Sequence, residues 1–384
     1  METRKLYYED SHLREFAAQV LSCTRTEKGY EVILDATAFY PEGGGQACDL
    51  GKLNDANVLD VRERGEQIVH LCDRPLDAGS LARGTIDWAR RFDLMQQHSG
   101  EHMVSGVIHR RYGYHNVGFH MGSEVITIDF DGMIPAEDLP AIEAEVNAGI
   151  WANLPIRCWY PEPEVLPTVG YRTKRELPWP VRIVEVPGFD KCACCGTHVQ
   201  HTGEIGLVKL FTSIPCRGGS RMEMACGSRA VQLLTHAYDQ NRQVSQAFSA
   251  KIGETGAAAR RMNEMLEQEK FRFGRQQKKL FAMMAEAYGD RGNVLHFEED
   301  LDSVQIRELA DAIAARCGGR AAVFSGSDGN GYGFAIVTRE GDLRPFGKAM
   351  TGALNGRGGG KPIFQQGRVQ ADRAQIEDFF GENP

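Results

Sequence analysis

The chain lacks any run of about 18 uncharged apolar residues, so no segment of it reads as a membrane span. It also lacks an apolar signal core at its start, where METRKLYYED is polar. Basic charge is in deficit: 44 Lys and Arg against 52 Asp and Glu give a net charge of −8. That balance argues against a generic polyanion binder, because phosphate contacts need cations. A secreted disulfide framework is missing too. Of ten cysteines, Cys23, Cys48, Cys72 and Cys158 stand singly, and only 192–195 form a cluster. Free thiols with one metal-like cluster fit a cytoplasmic protein. No internal repeat or low-complexity tract stands out. What is present is an ordinary globular composition, 42% hydrophobic and 25% charged over 384 residues, enough for two or three domains.

The net charge hides local asymmetry. Lys270 to Lys279 carries five basic residues and no acidic one, and Arg339 to Arg368 six basic and two acidic. A solvated helix face and a basic loop would look the same, so charge alone neither makes nor excludes an RNA partner.

Hydrophobic periodicity divides the chain into four segments with an α+β fold class. Residues 1–90 predict a small β-barrel. Phe16–Cys23, Tyr30–Ala36, Val58–Arg64, Gln67–Cys72 and Ala82–Asp87 are strand-length runs separated by turns such as Asn54-Asp55, Gly43–Gly45 and Asp77–Gly79. Residues 91–230 predict an α+β domain. Its first helix carries Leu94, Met95, His98, His102, Val104 and Ile108 and ends near Gly113. Val125–Phe130, Val181–Val186 and Gly206–Thr212 read as strands and Leu139–Trp151 as a helix. Residues 231–290 predict a coiled-coil-like helical connector with Met262, Leu266, Phe273, Leu280 and Met284 spaced 4, 7, 7 and 4, interrupted near Gly253 and Gly256. A homodimer through this connector or the last segment is one expectation. Residues 291–384 predict a small α/β domain. In it Asp302 and Gln305 start a helix running to Arg316, Ala321–Ser325 and Phe334–Thr338 are strands, and Ala371–Phe380 is a closing helix.

Two half-sites carry chemistry. His98 and His102 stand at i and i+4, on one face of a helix, where both imidazoles can reach one ion. Cys194 and His198, 92 residues beyond His102, repeat that spacing inside Cys194-Cys195-Gly196-Thr197-His198. A thiolate and three imidazoles complete a tetrahedral zinc site, one Zn2+ per chain. Two alternatives remain open: a structural knuckle of Cys192, Cys194 and Cys195 with Cys216 or Cys226, and His201 in place of His198. Glu101 precedes the second histidine directly, about 100° around the helix from the metal face, and reads as a surface glutamate.

The two half-sites together resemble the editing-domain signature shared by alanyl- and threonyl-tRNA synthetases. Phe39-Tyr40-Pro41-Glu42-Gly43-Gly44-Gly45-Gln46 is similar to the glycine motif of the barrel before alanyl-type editing domains. Gly356-Arg357-Gly358-Gly359-Gly360-Lys361-Pro362 resembles part of the C-terminal domain of alanyl-tRNA synthetase, which is shared with DHH phosphoesterases. With no aminoacylation module expected before residue 1, the chain resembles the long form of the AlaX family of free-standing editing proteins. The resemblance implies a zinc-dependent deacylase acting on mischarged tRNA-Ala, with the seryl and glycyl forms as substrates. It makes Gly43, Gly44, Gly45, Gln46 and His120 candidates for substrate contact. Arg357, Gly358, Gly359, Gly360 and Lys361, read as a glycine-rich loop, become candidates for contact with tRNA phosphates. Zinc with four protein ligands is closed, so the ion either opens a position for chemistry or only shapes the pocket.

Overall fold

The computed structural model describes residues 2–173 and 179–383. The chain forms two compact units, Met1–Gln243 and Val244–Pro384, a coarser division than the four segments of the sequence pattern.

The first unit begins with strand β1 (Arg4–Lys5), which pairs in parallel with β4 (Ala36–Thr37), and the single-turn helix α1 (Leu6–Glu9). Six strands follow: β2 (Glu15–Thr26), β3 (Gly29–Leu34), β5 (Gly51–Leu53), β6 (Ala56–Arg64), β7 (Gln67–Cys72) and β8 (Leu81–Ile86). Each pairs with two neighbours in the order β2-β3-β7-β6-β5-β8, and β8 returns to β2, so the ring closes into a barrel without free edges. Alternation fills it: Phe16, Ala18 and Val20 of β2 point inward with Val32, Leu34, Val61 and Ile68.

Helix α2 (Trp88–Tyr112) leaves the barrel and enters a second core. The Asp87 side chain accepts from the Arg90 amide to start it, and Gly113, at φ 75°, ends it. Its central turns are buried on all sides. They pack on helix α3 (Leu139–Trp151) and the antiparallel sheet β14-β15-β10-β9, built from β9 (Asn116–Met121), β10 (Ile126–Phe130), β14 (Val208–Cys216) and β15 (Gly219–Cys226). A small sheet of β11 (Arg157–Trp159), β12 (Ile183–Val186) and β13 (Asp190–Ala193) covers the other flank. The strand expected at Gly206–Thr212 starts two residues later and runs on to Cys216, because its far half is a ladder with β15 and not an apolar run.

Barrel and second core are tied by a buried ion pair. The Arg91 guanidinium of α2 donates to both Asp49 carboxylate oxygens and to the carbonyls of Ser11 and Ala38, and both charged side chains are fully buried.

Helix α4 (Gly227–Ala247) and helix α5 (Thr255–Glu286) form the helical stretch. The break falls at residues 248–254, so Gly253 lies in it while Gly256 is already in the first turn of α5. Met262, Leu266, Phe273 and Leu280 of α5 are exposed at 47–62%. The second unit continues with β16 (Gly292–Phe297), α6 (Ser303–Cys317), β17 (Gly318–Ser327), β18 (Gly331–Val337), α7 (Arg344–Ala353), β19 (Gly356–Lys361), β20 (Phe364–Val369) and α8 (Arg373–Glu382). Asp302 and Gln305 form the expected capping box at the start of α6. The sheet order is β16-β17-β18-β20-β19. The glycine-rich stretch Gly356–Lys361 is therefore the last strand of a sheet and not a loop. Glycine is a poor strand former, but here a Cβ at Gly358 or Gly360 would meet the β20 backbone at 2.6 or 2.1 Å, so close pairing outweighs propensity.

Candidate metal centre

Four side chains from two distant segments meet at the barrel side of α2. His98 and His102 come from adjacent turns of that helix, their rings stacked 5.4 Å apart. Cys194 and His198 come from the loop that follows β13. One ligand atom from each of the four lies within 4.8 Å of the others. The Cys194 Sγ stands 3.4 Å from His98 Nε2 and 3.8 Å from His198 Nε2. A tetrahedral zinc with the usual Zn–S and Zn–N bonds sets sulfur–nitrogen edges of about 3.6 Å, midway between those two distances. His102 Nε2 and His198 Nδ1 are buried and have no hydrogen-bond partner. Buried orphan nitrogens are costly unless something satisfies them, and a cation shared with Cys194 would satisfy the first.

The electrostatics agree. Burial works against the Cys194 thiolate, yet His98, His102 and His198 together outweigh it and hold this thiol well below the ordinary range. At His102 burial opposes the proton, but the Cys194 thiolate and the hydrogen bond to Asp190 win and raise its affinity for positive charge. Burial pushes His198 down to about 3, so it stays a neutral imidazole, the form that binds metals. The neighbouring Cys192 shares a second cluster with His102 and Asp190. There burial drives the thiol up to about 12, and Asp190 is already held by Arg172 at 2.7 and 2.8 Å. Cys194 is thus the ligand-ready thiol of the pair.

Each α2 histidine is oriented through Nδ1. Asp190 Oδ2 lies 2.7 Å from His102 Nδ1, and Gln46 Oε1 lies 2.9 Å from His98 Nδ1. Arg182 donates to the carbonyls of Cys194 and Gly196, and Tyr8 donates to Cys195 O, which together shape the ligand loop. Gly196 has to be glycine, since a Cβ there would sit 2.0 Å from the His98 ring.

A cavity of about 200 Å³ opens on the cluster, lined by Gly44, His98, Glu101, His102, Phe119, Arg172, Thr173 and residues 192–195. A larger cavity of about 600 Å³ lies beside Lys278 and Phe281, but its lining among the described residues holds no histidine or cysteine. Glu101 is not a surface residue: it is 5% exposed, it lines this cavity, and it accepts from Ser105 Oγ and Asn116 Nδ2. The rotation around the helix is as expected; the sheet strand β9 covers the side that would otherwise face water. His120 is exposed on β9, and its neighbour Phe119 forms the wall, its ring 5.6 Å from that of His98. Sequence pattern missed Phe119, because β9 is interrupted by Gly118 and shows no clear alternation. Of the glycine motif, Gly44 lines the cavity and Gln46 reaches His98. Cys216, Cys226 and His201 lie outside the cluster. Arg357 and Gly358 to Lys361 lie on β19, in the second unit.

Residues 181–225 match the family described as threonyl and alanyl tRNA synthetase second additional domain, and residues 3–90 match tRNA synthetases class II (A). Alanyl-tRNA editing protein Aarsd1 of Mus musculus is 30% identical over 275 residues, which cover 67% of each chain. The zebrafish (Danio rerio) protein of the same name is 27% identical over 97% of this chain and 96% of its own. Alanine–tRNA ligase of Pyrobaculum neutrophilum is 32% identical over 98% of this chain, which spans only 44% of that enzyme. The C-Ala domain of Aquifex aeolicus alanyl-tRNA synthetase matches 25% of this chain at 20% identity, with a TM-score of 0.22. Among the described residues no helix is long and apolar enough to cross a membrane.

Proposed function

The chain belongs to the alanyl-tRNA editing protein family, and from that premise we propose that it hydrolyses mischarged Ser-tRNA-Ala, and Gly-tRNA-Ala with it, at one Zn2+ held by His98, His102, Cys194 and His198. The observation that carries this reading is the convergence of those four donors, with His102 Nε2 buried and unpartnered, and with His98, His102 and Cys194 lining a small cavity beside the glycine motif. Bound there, zinc supplies a Lewis acid next to the aminoacyl ester or, fully ligated, shapes the pocket around it.

The chain's own residues select what enters. At about 200 Å³ the cavity is below the usual range for whole small-molecule ligands, so it suits an aminoacyl group and not a nucleotide. Phe119 and Gly44 form part of its wall. Glu101, Arg172 and Thr173 present polar groups to it, which a serine hydroxyl can meet and an alanine methyl cannot. That asymmetry removes serine from tRNA-Ala and spares the correct product.

The tRNA is held elsewhere as well. Arg357 and Lys361, with the glycine backbone between them, offer cations and close approach along β19 for phosphates. The exposed apolar seam of α5 supports a homodimer through the helical stretch. A tRNA substrate supports a cytoplasmic location.

The test incubates the protein with Ser-, Gly- and Ala-tRNA-Ala, with and without chelator. Release of serine or glycine but not alanine, lost on chelation, is expected. Release of no amino acid would leave a zinc-containing tRNA-binding protein. Release from Ser-tRNA-Thr but not Ser-tRNA-Ala would move the substrate to threonine tRNA.

A further inference from the structure

The glycine motif does more than form a turn near the cavity. Gly43 and Gln46 exchange backbone hydrogen bonds at 3.1 and 2.9 Å, and the two residues between them, Gly44 and Gly45, have φ of +61° and +86°. Both central positions at positive φ make a tight turn that only glycine adopts without strain. A Cβ at Gly45 would also meet the Phe119 ring at 2.8 Å. The turn delivers Gln46, fully buried, from the barrel to the ligand loop.

Three hydrogen bonds then settle which atoms face which. Thr197 N donates to Gln46 Oε1 at 3.1 Å, and Gln46 Nε2 donates to Thr197 Oγ1 at 2.8 Å. A backbone N–H can only donate, so the atom it meets is the amide oxygen, and the orientation of the Gln46 amide is determined. The same oxygen lies 2.9 Å from His98 Nδ1. An amide oxygen can only accept, so Nδ1 carries the imidazole proton. His98 Nε2, 3.4 Å from Cys194 Sγ, is left with its lone pair toward the cluster.

We infer that Gln46 is a positioning residue of the metal centre: it holds His98 in the tautomer and orientation that bind metal, and ties that histidine to the Cys194–His198 loop through Thr197. The inference rests on the reading of the four-residue cluster as a metal site. It moves Gln46 from substrate contact to metal support, with the barrel supplying part of the centre. Asp190 does the corresponding work for His102 from β13, so each α2 histidine is braced by a different element. Outer partners of ligating histidines typically control metal affinity by 10–100-fold.

The experiment compares the full chain with Gln46→Ala and Gln46→Glu, each stripped and reloaded with Co2+. Visible absorption reads the ligand field, and competition against a chromophoric chelator reads Co2+ and Zn2+ affinity, with thermal unfolding as a check on folding. Gln46→Ala should bind both metals about 10–100-fold more weakly, with an altered cobalt spectrum. Gln46→Glu should restore affinity, because a carboxylate accepts from the same Nδ1–H and from Thr197 N. Wild-type affinity and spectrum in Gln46→Ala would overturn the inference, as would Gln46→Glu performing no better than Gln46→Ala. A wild-type chain that takes up neither metal would instead overturn the metal reading on which it rests.

Discussion

Replacing Gly196 with alanine tests the centre through a single methyl group. The new Cβ would stand 2.0 Å from His98 Cε1, 2.3 Å from its Nδ1 and 3.0 Å from Gln46 Oε1. Ordinary carbon contacts lie near 3.5 Å, so the ring must retreat by about 1.5 Å. It has little room: His102 stacks on it, Phe119 packs against it at 5.6 Å between centroids, and Gln46 holds its Nδ1. A Zn–N bond is only about 2.0–2.1 Å long, so such a displacement takes His98 out of coordination. Overpacking of this kind costs about 1–3 kcal/mol of stability. Loss of the ligand should weaken zinc binding by at least the 10–100-fold that losing a supporting group costs, and deacylation should fall with it. Gly65→Ala, in the turn between β6 and β7 and away from the cavity, is the control. It has nothing within 4 Å, and its φ of +63° costs about 1–2 kcal/mol through the backbone alone, so metal affinity should hold. Chelator competition and Ser-tRNA-Ala deacylation read both variants. A Gly196→Ala chain with wild-type stability, zinc affinity and activity would refute the placement of His98 against the ligand loop.

Two other outcomes follow from buried charge. His70, inside the barrel between Val32 O and Thr37 Oγ1, is pushed by burial from the ordinary 6.5 to about 4. Its folded form is neutral while the unfolded form protonates first, so stability is complete above pH 6.5, declines as pH falls, and levels off near pH 4. A difference of about 2.5 pH units corresponds to about 3 kcal/mol. Urea unfolding at pH 7, 5.5 and 4 should show that decline, and His70→Gln should make it shallower by that amount; an unchanged slope would count against the buried neutral histidine. Arg91→Met leaves Asp49 buried without its cation and should cost about 3–5 kcal/mol. A loss below 1 kcal/mol in chemical denaturation would show that the pair does not tie α2 to the barrel.

Much of the molecule was legible in the residues. The i, i+4 spacings of His98 with His102 and Cys194 with His198 picked out the four side chains that the fold brings within 4.8 Å of one another. Gly113 and Asp302 marked helix ends, and alternation in Phe16–Cys23 and its neighbours announced barrel strands. These signals are local: they depend on residues within a turn of helix or a few strand positions. What escaped was of two kinds. Strands whose pairing supplies their stability, such as β9 with its Gly118 and the glycine-rich β19, carry no propensity signal of their own. Glu101 looked solvent-facing because helical geometry says where a side chain points and nothing about what covers it.

By itself, then, the sequence determined the candidate donors and the spacing that lets them act together. The i, i+4 spacing puts two imidazoles on one helix face in any fold, and glycines at 44 and 45 permit a turn that other residues resist. Only the tertiary structure decided that the two half-sites, 92 residues apart, share one point in space, and that Gln46 and Asp190 brace His98 and His102. It also decided that Phe119 and Glu101 wall the cavity. The reason is physical. Those contacts join elements far apart in the chain, and their existence depends on how a barrel, a buried helix and two sheets pack together, which no single stretch of residues encodes.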